Sequence, residues 1–333
     1  MQNSTTRTPS FTAADSEFLR AQLPALAFAP EVDASWAGSA KVQDYLDFYR
    51  INFARSKAGV MHGFGACDAA GFRIATHYWL PEHPRGTLVV IHGYYDHVGL
   101  FGNVIEFGLQ QGMAVLAFDL PGHGLSSGEQ VAIESFDQYA DVLASILGKA
   151  QTLLPAPYAG VGQSTGGSVL LNYLWRYEAA QAAPQLERVA LCAPLILPRT
   201  WTRGRWLYML VHRFVRRLPR GASHSSHDEN FLRFLMEEDC LQSHFLSVRW
   251  VGAMKNWDAQ FRRWPALDKS LLIIQGTDDQ TVAWHYNLNQ LKRKLPNARV
   301  HYIEGAGHQL VNERDDFREQ VFAALRDYFC TLP

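Results

Sequence analysis

The sequence predicts an α/β protein in which a mostly parallel, helix-covered sheet is interrupted by a helical insertion. Short apolar runs rich in β-branched residues, such as Thr87–His92 (TLVVIH) and Leu271–Gln275 (LLIIQ), alternate with longer segments of helical period. Most of these runs stop at Gly, Asp or Pro, as strands do where a parallel sheet presents its functional loops. The rhythm breaks once, over residues 197–268, where an aromatic, basic and helical pattern carries no strand signal.

In chain order, residues 1–40 are rich in Ser, Thr, Ala and Pro and read as a partly flexible leader with at most one short helix near Ala14–Leu23. Its polar first ten residues lack the apolar stretch of a signal peptide. Residues 41–196 form the first part of the core. Strands are expected at Phe72–Leu80, Thr87–His92, Ala114–Asp119, Pro157–Gln163 and Arg188–Ala193, with helices at Val98–Gln111, Phe136–Leu154 and Thr165–Tyr177. After the insertion, residues 269–333 supply strands Leu271–Gln275 and Arg299–Ile303 and helices Trp284–Leu295 and Arg314–Phe329.

The 333 residues carry 31 Lys+Arg against 32 Asp+Glu, a net charge of −1, and 47% are hydrophobic. That composition buries a large core and excludes both disorder and a uniformly basic nucleic-acid binder. Cys67, Cys192, Cys240 and Cys330 lie far apart, against a disulfide framework or a thiolate metal site. No apolar stretch approaches the ~20 residues of a membrane span. The expected location is cytoplasmic, with contact at the inner face of a membrane left open.

The chemistry concentrates at the strand ends. Gly162-Gln163-Ser164-Thr165-Gly166 places a serine on a tight strand-to-helix turn, which lifts its Oγ out of the sheet and aims helix N–H groups at a developing oxyanion. The alternative is a plain structural turn. A serine hydroxyl is a poor nucleophile at neutral pH, so a histidine base and an orienting carboxylate must follow. His308, in the Gly-rich segment Gly305-Ala306-Gly307-His308, suits the base. In Gly276-Thr277-Asp278-Asp279-Gln280-Thr281-Val282 the spacing G-x-x-D-x-x-V favours Asp279 over Asp278, although either can cap the following helix. The oxyanion donors are expected from the backbone of Thr165 and of Tyr94, which follows the His92-Gly93 pair. His92, Asp119 and His123 read as loop-fixing hydrogen-bonders.

HGYYDH, DLPGHGLSSG, GQSTGG, GTDDQTV and GAGH, in this order, resemble the α/β-hydrolase superfamily, in its branch of monoacylglycerol lipases, lysophospholipases and serine aminopeptidase-like hydrolases. The resemblance spans roughly residues 60–330. It implies an eight-stranded, mostly parallel sheet with helices on both faces and a helical cap at 197–268. It also implies Ser164, Asp279 and His308 as triad, with Tyr94 and Thr165 as donors. Tyr94-Tyr95 replace the small residues common after His-Gly, and their bulk is expected to narrow the acyl side of the pocket.

Between Arg199 and Arg263 eleven arginines and Lys255 face six acids, an excess near +6 that leaves the rest of the chain near −7. Five of the nine tryptophans lie in this cap. Arg203–Leu218 sorts at helical period into an apolar face (Trp206, Leu207, Leu210, Val211, Phe214, Val215, Leu218) opposite Arg205, His212, Arg213, Arg216 and Arg217. Such a helix either packs on the core or rests on an anionic lipid surface. His224, His227, Asp228 and Glu229 lack a supporting element, so no metal site is expected. The function expected is a cofactor-free serine hydrolase of lysophospholipid or monoacylglycerol esters, with Gly93, Tyr95, Trp206 and Leu210 against the substrate. The partners are a small or lipid ester and peripherally an anionic membrane, with no nucleic acid. A small-ester esterase, an aminopeptidase or amidase using Glu237, Glu238 or Asp239 to hold an ammonium, and a non-catalytic ligand-binding protein are the alternatives.

Overall fold

A computed structural model describes residues 10–221 and 224–330. The elements begin with α1 (Ala13–Gln22), α2 (Pro30–Ala37), α3 (Ala40–Phe48), α4 (Phe53–Ser56), β1 (Val60–Ala69), β2 (Phe72–Pro81) and β3 (Thr87–Ile91). There follow α5 (Gly102–Gln110), β4 (Ala114–Phe118), α6 (Phe136–Ala150), β5 (Tyr158–Gln163), α7 (Thr165–Tyr173) and β6 (Leu186–Cys192). The 197–268 segment holds α8 (Trp201–Val211), β7 (Arg217–Pro219), α9 (Glu229–Arg233), β8 (Phe245–Ser247) and α10 (Val248–Arg263). The chain closes with β9 (Leu272–Gly276), α11 (Trp284–Lys294), β10 (Arg299–Ile303) and α12 (Asp315–Phe329).

The eight-stranded sheet has the order β1-β2-β4-β3-β5-β6-β9-β10. β2 runs antiparallel to β1 and β4, and the remaining pairings are parallel. Every residue of β3, β4 and β5 is buried, as the unbroken apolar runs require when both faces are covered. Alternation sorts these residues between two layers. Leu88 and Val90 join the cluster that includes Val104 and Ile105 of α5 and Leu325 of α12, while Val89 and Ile91 join Val142 and Leu143 of α6 and Val169 of α7. Each such fully buried Val, Leu or Ile contributes roughly 1.5–3 kcal/mol.

Three expectations need correction. Among the described residues the leader is not a loose segment with one helix: α1 and α2 fold against the core and α3 continues them, with Phe11, Leu19 and Leu23 buried. Thr12 and Asp15 form a capping box at α1, Pro30 starts α2, and Leu26 N–H donates to Ala66 O at 2.9 Å beside β1. These caps were visible in the sequence, but helices of eight to ten residues are too short for a clear period. Secondly, the 197–268 segment contains strands. β7 and β8 pair antiparallel, with Leu218 opposite Leu246, in runs too short for alternation to register. Thirdly, α8 stops at Val211 rather than continuing to Leu218. Val248 N–H donates to Arg216 O at 2.9 Å, so pairing across this small ladder displaces further helix.

Candidate active site

Ser164 lies between β5 and α7 with φ 53° and ψ −112°, a strained conformation that a non-glycine residue keeps only when its surroundings impose it. They do so here. A Cβ on Gly162 would stand 2.5 Å from the Gly166 backbone, and one on Gly166 would stand 2.1 Å from Ile91 O, so only glycine fits on either side of the turn. Ser164 N–H donates to Cys192 O at 2.8 Å, which ties the turn to β6. Thr165 opens α7, where helical geometry leaves its backbone N–H without an intrahelical acceptor.

The loops after β9 and β10 bring Asp279 and His308 together. His308 Nδ1 lies 2.8 Å from Asp279 Oδ2, and both side chains are buried. Asp279 Oδ1 also accepts from Thr281 N–H at 2.8 Å and Val282 N–H at 3.0 Å, and Oδ2 from Gln275 Nε2 at 3.1 Å. Asp278 points elsewhere: its half-exposed carboxylate accepts from Gln280 Nε2 at 2.7 Å. Burial alone would push the Asp279 pKa up, but the charge and hydrogen bond of His308, with the two backbone donors, hold it below its ordinary value. For His308, burial works to lower the pKa, and the charge and hydrogen bond of Asp279 outweigh it, so the net shift is upward.

Ser164, His308, Tyr94, Tyr95 and Thr165 line one cleft of about 310 Å³ whose remaining walls are mainly apolar, among them Leu207, Val211, Trp250 and Met254. Gly93 sits behind it. Its N–H donates to Asp96 Oδ2 at 3.2 Å, and a Cβ there would stand 2.6 Å from that oxygen and 3.4 Å from Ser164 Cβ. Tyr94 is held at both ends, its ring stacked on Trp250 with centroids 3.9 Å apart and its hydroxyl donating to Val131 O at 2.8 Å. It forms a fixed wall between core and cap.

Trp206 and Leu210 are not at the cleft. They are 67% and 74% exposed, whereas Gly204, Leu207, Tyr208 and Val211 of the same helix line it. α8 has apolar side chains on both faces, so its period could not tell which face turns inward. Fixing roles emerge for the histidine loops: His92 Nε2 accepts from Leu120 N–H at 2.8 Å, Asp119 accepts from Val98 and Leu125 N–H at 2.7 Å each, and His123 Nδ1 lies 2.9 Å from Pro121 O. His227 Nδ1 is 2.9 Å from Glu313 Oε1, and Asp228 caps α9. Among the described residues no group of three or more His, Cys, Asp or Glu is arranged to hold a metal ion.

Three supporting groups escaped sequence reasoning because their partners are remote in the chain. Glu313 Oε1 accepts from Gly307 N–H at 2.7 Å and its Oε2 accepts from His227 N–H at 2.8 Å, so one buried carboxylate joins the His308 loop to the cap. Gln163 Nε2 donates to His308 O at 2.7 Å. Asp239 of the cap meets His97 Nε2 at 3.0 Å and Tyr49 Oη at 2.7 Å in a fully buried cluster. The HGYYDH motif held the only hint of it.

A mostly parallel eight-stranded sheet, a serine on a strained strand-to-helix turn, and a histidine and aspartate on later strand ends define the α/β-hydrolase class. The chain belongs to the Hydrolase_4 family, described as serine aminopeptidase S33, whose pattern matches residues 82–315, more than half of its length. It is 31% identical over 134 residues to the monoacylglycerol lipase of Mycolicibacterium smegmatis, an alignment covering 40% of this chain and 47% of that one. It is 24% identical over 268 residues to phospholipase YtpA of Bacillus subtilis, covering 75% and 97% respectively. A soluble variant of monoglyceride lipase from Saccharomyces cerevisiae, solved with a substrate analog, superposes with a TM-score of 0.67 at 18% identity, over 80% of this chain and 93% of that one. At that identity it speaks for the fold.

Proposed function

We propose that this protein hydrolyses carboxylic esters of single-chain lipids through an acyl-enzyme intermediate. The observation that carries the reading is that His308, paired with Asp279, lines the same mainly apolar cleft as Ser164. With the Nδ1 proton of His308 held by Asp279, Nε2 is the base that takes the Ser164 proton as Oγ attacks the ester carbonyl. The N–H groups of Tyr94 and Thr165 receive the oxyanion, His308 protonates the departing alcohol, and water then reverses the sequence to release the fatty acid. The relatives named as lipases and a phospholipase support ester rather than amide substrates.

The amidase alternative needs a cap carboxylate to hold an ammonium. Glu237 and Glu238 are exposed outside the cleft, and Asp239 is consumed by His97 and Tyr49, so this reading loses its candidates. A fluorophosphonate probe should label wild type and leave Ser164→Ala unlabelled, and medium-chain esters should be cleaved where aminoacyl-naphthylamides are not. The opposite preference would move the assignment to the amidase.

The protein is further proposed to work at an anionic lipid surface. Trp206, Leu210 and Phe214 are 67%, 74% and 86% exposed beside the cleft, next to exposed Arg205, Arg213 and Arg216, and no acid lies between Arg199 and Gly221. The chain is expected to co-sediment with anionic vesicles at low salt and to lose most of that binding with neutral vesicles or in the triple variant Trp206→Ser, Leu210→Ser, Phe214→Ser. Binding indifferent to lipid charge and to these residues would refute the surface.

A further inference from the structure

Among the described residues Arg220 brings the one guanidinium to the wall of a mainly apolar cleft. The residue directly follows β7, and its backbone N–H donates to His244 O at 3.0 Å, so the small cap ladder sets its position. Its Nη1 donates to Gln242 Oε1 at 2.6 Å, and Gln242 in turn donates through Nε2 to Tyr95 O at 3.1 Å. The guanidinium carbon stands over the Tyr95 ring, 4.0 Å from its centroid. Two neighbours in the chain of contacts therefore fix it against the loop that carries Tyr94.

The buried Asp96 carboxylate feels the Arg220 charge but makes no direct ion pair with it. Among the described residues no carboxylate lies within ion-pair distance of it, and Nε and Nη2 have no protein acceptor. Among the described residues Asp96 is the only acid lining the cleft, and that carboxylate is already engaged by Gly93 N–H at 3.2 Å and Gln309 Nε2 at 3.1 Å. A cation beside apolar walls is costly unless an anion joins it, and the planar fork of arginine suits a paired oxyanion.

We propose that Arg220 receives the phosphate of the substrate, so that the preferred ester is a lysophospholipid rather than a neutral monoacylglycerol. This rests on the ester-hydrolase reading above. The acyl chain lies along the apolar wall, the ester carbonyl meets Ser164, and the phosphate on the alcohol side meets Nε and Nη2. The Ser164 Oγ–acyl bond forms as the acyl–oxygen bond to the glyceryl unit breaks, His308 hands the serine proton to that oxygen, and glycerophosphoryl alcohol departs. Water then supplies the hydroxyl of the free fatty acid and restores the serine proton.

The test compares lauroyl lysophosphatidylglycerol with 1-lauroylglycerol, both presented below their aggregation limits, on wild type, Arg220→Gln and Arg220→Lys. The ratio of kcat/KM for the phosphate ester over the neutral ester should fall about 30-fold in Arg220→Gln, the size of one charge-assisted contact, with the change carried by KM. Arg220→Lys should recover part of the ratio, and raised salt should lower it in wild type. An unchanged ratio, or wild type that cleaves only the neutral ester, overturns the role of Arg220 and leaves the ester-hydrolase reading intact. Cleavage of neither ester by wild type that still takes the fluorophosphonate probe defeats the lipid-ester reading itself. Should Arg220→Gln fail to fold, the ratio in Arg220→Lys and its salt dependence decide by the same signs.

Discussion

Replacing Asp279 by Asn should lower kcat by about 10⁴-fold, while Asp278→Asn changes it by no more than about threefold. The two residues are adjacent and chemically identical, so the contrast isolates geometry. Asp279 Oδ2 is the acceptor for His308 Nδ1, and an amide in its place offers either a donor or a neutral oxygen, which releases the tautomer that leaves Nε2 free. The same substitution removes the charge that raises the His308 pKa. The sign follows directly: His308 acts as a base only when neutral, so kcat/KM in wild type falls as pH drops through a value above the usual imidazole range. In Asp279→Asn, burial is opposed only by the smaller effect of the Asp96 charge, and that acid limb should move to lower pH. Stopped assays across pH on the two asparagine variants check both statements. Equal losses, or a limb that stays in place, would transfer the role to another group.

Asp239→Ala should destabilise the protein by about 3–5 kcal/mol, measured by urea unfolding of the full chain, because it strands a buried His97 without its counter-ion. Burial pulls the His97 pKa down but Asp239 lifts it above its ordinary value, and burial pushes Asp239 up but His97 and Tyr49 bring it below. The raised histidine contributes stability that is lost as pH climbs through its folded pKa. The depressed aspartate contributes stability that is lost as pH falls through its own. The stability gap between wild type and Asp239→Ala should therefore be widest between those two values and narrow on both sides. A gap that is flat with pH would mean that packing, not the ion pair, holds the cap.

The strand framework was legible because β3, β4 and β5 are covered on both faces, which leaves an unbroken apolar signature bounded by turn residues. The candidate site was legible because its parts need specific small or polar residues at strand ends: Gly162 and Gly166 about Ser164, and the G-x-x-D-x-x-V spacing that separated Asp279 from Asp278. What stayed hidden depends on which surfaces meet. α8 is apolar toward the cleft and toward solvent, so helical period alone does not separate exposed Trp206 and Leu210 from Leu207 and Val211, which line the cleft. Glu313, Asp239 and Arg220 act through residues 6 to 190 positions away in the chain, and nothing local marks such pairings.

β6 and β9, which precede and follow the cap, are hydrogen-bonded neighbours, with Ala190 opposite Leu272. The chain thus leaves the sheet at Cys192 and returns to it on the adjacent strand, about 5 Å across the sheet, after some eighty residues. A departure and return so close together make the cap an exchangeable module. Changes of length within it need not alter the pairing register of any sheet strand, provided that the Asp239–His97 and His227–Glu313 contacts that tie it to the core are kept.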